Sequence, residues 1–211
     1  MKILFYGDSI TDALRDRTAE IGAFNSYGFG YVNQIAGRLL KENPENYQII
    51  NTGISGNRIV DLYSRIKQDC WNHEPDVLSI LVGINDIWHE VKYNNGVELD
   101  RFEKVYDMLL EDTIKRLPNV KIIICEPFVL HGTATNEDFD KFNEIRTYAK
   151  VIKKLAEKHN AYFLPLQEIF DNYAKNHEET YYLFDGVHPN IPGASVIADE
   201  WLKLFKNEID K

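Results

Sequence analysis

The stretch "KILFYGDSITD", residues 2–12, sets a run of apolar and aromatic side chains directly against Gly7, Asp8 and Ser9. An unbroken apolar run of this length, closed by glycine and small polar residues, reads as a strand covered on both faces. Four more runs share the character: "YQIIN" (47–51), "DVLSILVGI" (76–84), "VKIIICEPF" (120–128) and "AYFLPL" (161–166). Helical spacing fills the intervals. Val32, Ile35, Ala36, Leu39 and Leu40 mark one apolar face, Ile59, Leu62, Tyr63 and Ile66 a second, and Phe102, Val105 and Leu109 a third. Phe142, Ile145, Ala149, Ile152 and Ala156 mark a fourth; Ala194, Ile197, Ala198, Trp201 and Phe205 mark the last. Pro192 stands near the start of that last helix, where proline is favoured. Strands alternating with helices predict an α/β fold with a parallel sheet and crossover connections.

The chain has 211 residues, 44% of them hydrophobic, with no linker-like tract and no internal repeat. One domain over 1–211 with a substantial core is expected. The formal net charge of −9, without a basic block, argues against nucleic acid and disfavours anionic membranes and substrates, although a local positive site can override a global charge. Cys70 and Cys125 are far apart and outside any CxxC pattern, so buried free thiols are expected. "MKILFYGDS" lacks the length and the small-residue site of a secretory leader, and no apolar stretch approaches a membrane span. A cytoplasmic protein without membrane association is the expectation.

In open parallel sheets, ligands bind beyond the carboxyl ends of the strands. The segments that stand there are Gly7-Asp8-Ser9, "NTGISGN" (51–57), "GIND" (83–86), "EPFVLHG" (126–132) and, after a polar stretch, "FDGVHPN" (184–190). Acyl transfer needs a nucleophile, a base, a group orienting the base, and donors for an oxyanion. Ser9 suits the first role and His188 the second. Asp185, three residues earlier, is placed to hold the His188 tautomer. Gly56 offers a backbone N–H with no Cβ in a substrate's way, Asn85 a side-chain amide, and Ser9 its own N–H. Taken singly, each piece has an ordinary reading as a turn, a cap or a solvated histidine. Their order along the chain, each after its own strand, is what gives them weight.

These segments, "GDSIT" (7–11), "NTGISGN" (51–57), "VGIND" (82–86) and "DGVHPN" (185–190), resemble the SGNH (GDSL-type) hydrolase superfamily over almost the whole chain. The resemblance implies Ser9 as nucleophile, His188 as base, Asp185 as its orienting carboxylate, and Ser9, Gly56 and Asn85 as the oxyanion hole. It also implies a three-layer α/β/α sandwich on a flavodoxin-like, five-stranded parallel sheet of order 2-1-3-4-5. Ser55 is not read as the nucleophile, because GxSxG would need glycine where Asn57 stands. Asp8 and Asp86 read as acceptors for loop N–H groups. His73, His89, His131, His159 and His177 show no ligand spacing, so neither metal nor cofactor is expected.

"GFGYV" (28–32), "NTGISGNRIVDL" (51–62) and "GINDIW" (83–88) are most similar to acetylxylan esterases and related carbohydrate acetylesterases of that superfamily. The expected reaction is hydrolysis of acetyl esters of xylo-oligosaccharides or other sugars through an acyl-Ser9 intermediate. Thioesterase or lysophospholipase action on longer acyl groups is the alternative, and a non-catalytic binding module the third reading. Trp88 and Tyr31, aromatic neighbours of the polar segments, and Asp8 are the candidate substrate contacts. The resemblance also implies a homo-oligomer.

Overall fold

The computed structural model describes residues 1–210. In chain order the elements are β1 (Lys2–Gly7), α1 (Ser9–Asp12), α2 (Tyr31–Glu42), β2 (Gln48–Asn51), α3 (Ile59–Asp69), β3 (Val77–Leu81) and α4 (Ile84–Tyr93). Then come α5 (Leu99–Arg116), β4 (Lys121–Cys125), α6 (Phe139–Phe142), α7 (Ile145–Lys158), β5 (Tyr162–Leu164), α8 (Leu166–Tyr173) and α9 (Ile191–Glu208). The strands form one sheet in the order β2-β1-β3-β4-β5. Every pairing is parallel, with Phe5 opposite Asn51 and Ser79, and Gly7 opposite Leu81. Both the α/β class and the expected strand order are therefore observed.

Consecutive strand residues point to opposite faces, and β1 shows what each face meets. Phe5 packs on Tyr31 of α2 and on Trp201 of α9, with ring centroids 5.7 and 5.1 Å apart. Tyr6 points the other way; its hydroxyl donates to the Leu62 carbonyl of α3, and the Arg65 guanidinium lies over its ring. Helices α2 and α9 thus cover one face, while α3, α5 and α7 pack in sequence on the other. Trp201 is wholly buried, and its indole N–H donates to the Ser79 hydroxyl of β3 at 2.9 Å. A strand covered on both sides has no solvated face, which is why these runs are continuously apolar.

Three runs extend beyond their strands. β3 ends at Leu81, yet Val82 and Ile84 are buried; β4 ends at Cys125, yet Phe128, Val129 and Leu130 are buried. Burial continues because the chain passes beneath helices as it leaves the sheet. The fifth run ends in helix: Leu166 opens α8, which the sequence reading did not anticipate. The face from Phe142 to Ala156 is likewise divided. Helix α6 closes at Phe142, Asn143 N–H donates back to the Phe139 carbonyl at 2.7 Å, and α7 begins at Ile145. Cys70 and Cys125 are buried free thiols, and burial pushes each up to about 12. Among the described residues, no helix is long and apolar enough to cross a membrane.

Candidate active site

Strand β1 delivers Ser9 by a turn that only glycine permits. A Cβ at Gly7 would overlap the Leu81 carbonyl of the neighbouring strand and the Thr11 hydroxyl. Asp8 then caps α1, its Oδ1 accepting from the Ile10 N–H at 3.0 Å. Ser9, the first residue of α1, faces His188 with its Oγ 2.8 Å from Nε2. On the other side of the imidazole, Nδ1 lies 2.7 Å from Asp185 Oδ2. An ionised carboxylate accepts hydrogen bonds and cannot donate, so Nδ1 carries the proton and Nε2 is left to accept from Ser9. Asp185 is fixed in turn by the Val187 and His188 N–H groups, which donate to its Oδ1 at 2.9 and 2.7 Å.

Electrostatics follow from this geometry. For Asp185, burial works against ionisation, but the donors from His188 and Val187 outweigh it and hold the carboxyl below its ordinary value. For His188, burial disfavours the imidazolium, but the Asp185 hydrogen bond and the charges of Asp185 and Asp8 outweigh it and raise the pKa above 6.5. Trp88 meets the imidazole edge-on and Phe184 stacks beside it, each with centroids 5.9 Å away. These rings flank the imidazole on two sides.

The loops after β2 and β3 stand beside Ser9 because their strands flank β1. The Ile54 N–H donates to the Gly7 carbonyl at 3.0 Å, and the Ser55 N–H to buried Asp12 at 2.9 Å. Gly56 sits at φ +84°, in the region that favours glycine. Neither its N–H nor that of Ser9 meets an acceptor among the described residues. Asn85 is buried, and its Nδ2 donates to the Asn57 carbonyl at 3.1 Å, which leaves a second amide hydrogen. Asp86 next to it accepts from the Ile59 N–H at 3.1 Å and so anchors the start of α3. Together these contacts bring Ser9, Gly56, Asn85, Asp185 and His188 to one end of the sheet.

A cavity of about 730 Å³ opens over Ser9 and His188. Tyr31, Phe29, Phe184, Leu14, Arg15 and Arg17 contribute to its wall. Tyr31 is almost wholly buried, its hydroxyl 3.0 Å from Thr11 Oγ1. Asp8 is 1% exposed, caps the start of α1 and is not part of the cavity wall. Trp88 is half-buried between His188 and Phe142. Phe184, 56% exposed, and the two arginines were not singled out from the sequence. Phe184 had a signal, its place immediately before Asp185.

A model of the GDSL-like lipase/acylhydrolase family matches residues 5–196. The chain belongs to this family, and it is a carboxylic ester hydrolase. It is 35% identical over 208 residues to an acetylxylan esterase from Geobacillus stearothermophilus, covering 96% of this chain and 92% of that one. A crystal structure of an acetylxylan esterase from that organism superposes with a TM-score of 0.86 at 35% identity, over 96% of this chain and 92% of the other. A candidate GDSL-like lipase from Parabacteroides merdae superposes with a TM-score of 0.89 at 39% identity, over 96% of this chain and 94% of that one. For the Geobacillus enzyme, alanine variants of a serine, an aspartate and a histidine are called catalytic mutants, the last two lying three positions apart.

Proposed function

We propose that this esterase removes acetyl groups from acetylated xylo-oligosaccharides or related acetylated sugars through an acyl-Ser9 intermediate. The observation that carries the reading is the aligned Asp185–His188–Ser9 chain of hydrogen bonds, at 2.7 and 2.8 Å, opening into the large cavity. The similarity to acetylxylan esterases supports the substrate class.

In this reading the Ser9 hydroxyl attacks the ester carbonyl while His188 Nε2 takes its proton. Asp185 keeps the imidazole in the tautomer that can accept, then stabilises the imidazolium. The N–H groups of Ser9 and Gly56, with the Asn85 amide, receive the oxyanion. The imidazolium protonates the departing sugar alkoxide, leaving acetyl-Ser9. Water, deprotonated by the same imidazole, releases acetate and restores the serine. Phe29, 80% exposed, and Phe184 stand at the cavity rim as flat apolar faces against which a sugar ring can lie.

The test has two arms. Acetate release is measured on acetylated xylo-oligosaccharides and monosaccharides, and kcat/KM on p-nitrophenyl esters from acetate to octanoate. The proposal expects acetate release from the sugars and a decline in kcat/KM with acyl length. Octanoate preferred over acetate, with no acetate released, would overturn it.

A further inference from the structure

Arg15 is a guanidinium in the wall of the Ser9 cavity with no carboxylate of its own. The other arginines near it are satisfied. Arg17 is paired with Asp12, and Arg65 with Asp69 at 2.8 Å. The one side-chain hydrogen bond of Arg15 runs from Nε to the Gly53 carbonyl at 3.0 Å. Both of its Nη groups lack an acceptor among the described residues. The side chain is only partly exposed, and burial, aided by the charges of Arg17 and Arg65, lowers its pKa against the opposing pull of Asp12 and Asp69. An arginine does not escape such a position by losing its proton. Its Nη donors are therefore left free for an anionic ligand entering the cavity.

The backbone around it is held in an uncommon shape. Ala13 and Leu14 both take positive φ, +43° and +62°, conformations that side-chain-bearing residues seldom adopt. The turn is fixed by the Arg15 N–H to the Asp12 carbonyl at 2.9 Å and by the Phe29 N–H to the Ala13 carbonyl at 2.8 Å. Its outcome is that Leu14 is 85% exposed while Arg15 lines the cavity and is tied through Gly53 to the loop that carries Gly56.

We propose that Arg15 forms a carboxylate-binding subsite in the wall of the Ser9 cavity, so that the preferred ester is an acetylated sugar or oligosaccharide bearing a uronic acid. Two parallel N–H groups of a guanidinium match the two oxygens of a carboxylate. Arg17, also in the wall, is held by Asp12, which leaves the Nη groups of Arg15 as the free donors. The substrate part of this inference rests on the sugar-ester reading above; the carboxylate site does not.

The experiment separates the two. Glucuronate and glucose are compared as competitive inhibitors of p-nitrophenyl acetate hydrolysis, and their direct binding is measured by calorimetry. Glucuronate is expected to bind about tenfold tighter than glucose, the size of one charge-assisted pair, and to weaken as salt is added. Arg15→Gln should bring the two ligands to within about twofold of each other, and Arg15→Lys should restore part of the difference. Equal binding of the two by the wild type, or an unchanged preference in Arg15→Gln, overturns the proposal. If Arg15→Gln does not fold, the wild-type preference and its salt dependence decide the matter. If acetylated sugars are not hydrolysed but the glucuronate preference holds, the sugar-ester reading fails while the subsite stands. If they are hydrolysed while glucuronate binds no better than glucose, the subsite fails alone.

Discussion

Asp8 precedes Ser9, is wholly buried, and has one carboxylate oxygen, Oδ2, without a hydrogen-bond partner. Burial lifts its carboxyl from 3.8 to about 7, against the opposing pull of the Ile10 N–H and of His188. In the unfolded chain the same group releases its proton near 3.8. Between those values the native state binds more protons than the unfolded state, so stability falls as pH rises and the loss is complete above about 7. The window spans about three pH units, and at 1.36 kcal/mol per unit the ionised carboxyl destabilises the fold by about 4 kcal/mol. Replacing Asp8 with Asn keeps an oxygen to accept from Ile10 and removes the ionisation. Urea denaturation of both proteins at about pH 4.5 and about pH 8 measures the effect, because shared titrations cancel in the difference. Asp8→Asn should gain about 3 kcal/mol on the wild type between those two conditions. A stability difference that does not change with pH would mean that Asp8 ionises as if exposed, and the reasoning from burial would be wrong.

Three further outcomes follow from the site and the core. In the proposed mechanism His188 must be neutral to accept the Ser9 proton, and its pKa is raised, so the acid limb of kcat/KM should have its midpoint above the ordinary imidazole value of ~6.5; a midpoint at or below that value counts against Asp185 acting on it. Gly56→Ala meets no obstacle in space but forces φ +84° on a side-chain-bearing residue. Its misaligned N–H should lower kcat by about a hundredfold with little change in KM, and a variant with wild-type kcat would remove Gly56 from the oxyanion hole. Trp201→Phe leaves the Ser79 hydroxyl without its indole donor inside the core. Thermal unfolding should then report a loss of about 1–3 kcal/mol, and no loss would mean that the bond is idle.

Much of the architecture could be read from the chain because its signals are local. Five continuous apolar runs announce five strands covered on both faces, and all five are present. Boundaries were less legible because burial does not stop where hydrogen-bonded pairing stops. Val82, Ile84 and Phe128 are as apolar as their strands and as buried, yet lie beyond them. The division between α6 and α7 is invisible to periodicity, since Phe142 and Ile145 keep helical spacing across the break. In the site, Ser9, Gly56 and Asn85 follow β1, β2 and β3, whose adjacent carboxyl ends the parallel topology brings together; Asp185 and His188 come after α8, so their place beside Ser9 is a matter of tertiary packing rather than of strand order. Arg15 could not be recognised in the same way. Its significance lies in a missing partner, and absence of a counter-ion is a property of packing. Asp8 shows the converse: its neighbour Ser9 marks it in sequence, but only the fold buries it at the start of α1 and away from the cavity wall.

In the proposed mechanism Ser9 is the group that forms a covalent bond with substrate. Treating the protein with diethyl p-nitrophenyl phosphate and mapping the adduct by peptide mass spectrometry tests that claim most directly, because the phosphoryl group stays on the serine that attacks it. The account predicts one diethylphosphoryl group, on the peptide containing Ser9, with esterase activity lost in proportion to labelling and no labelling of Ser9→Ala. Complete inactivation with the group elsewhere, on exposed Ser55 for instance, would contradict it.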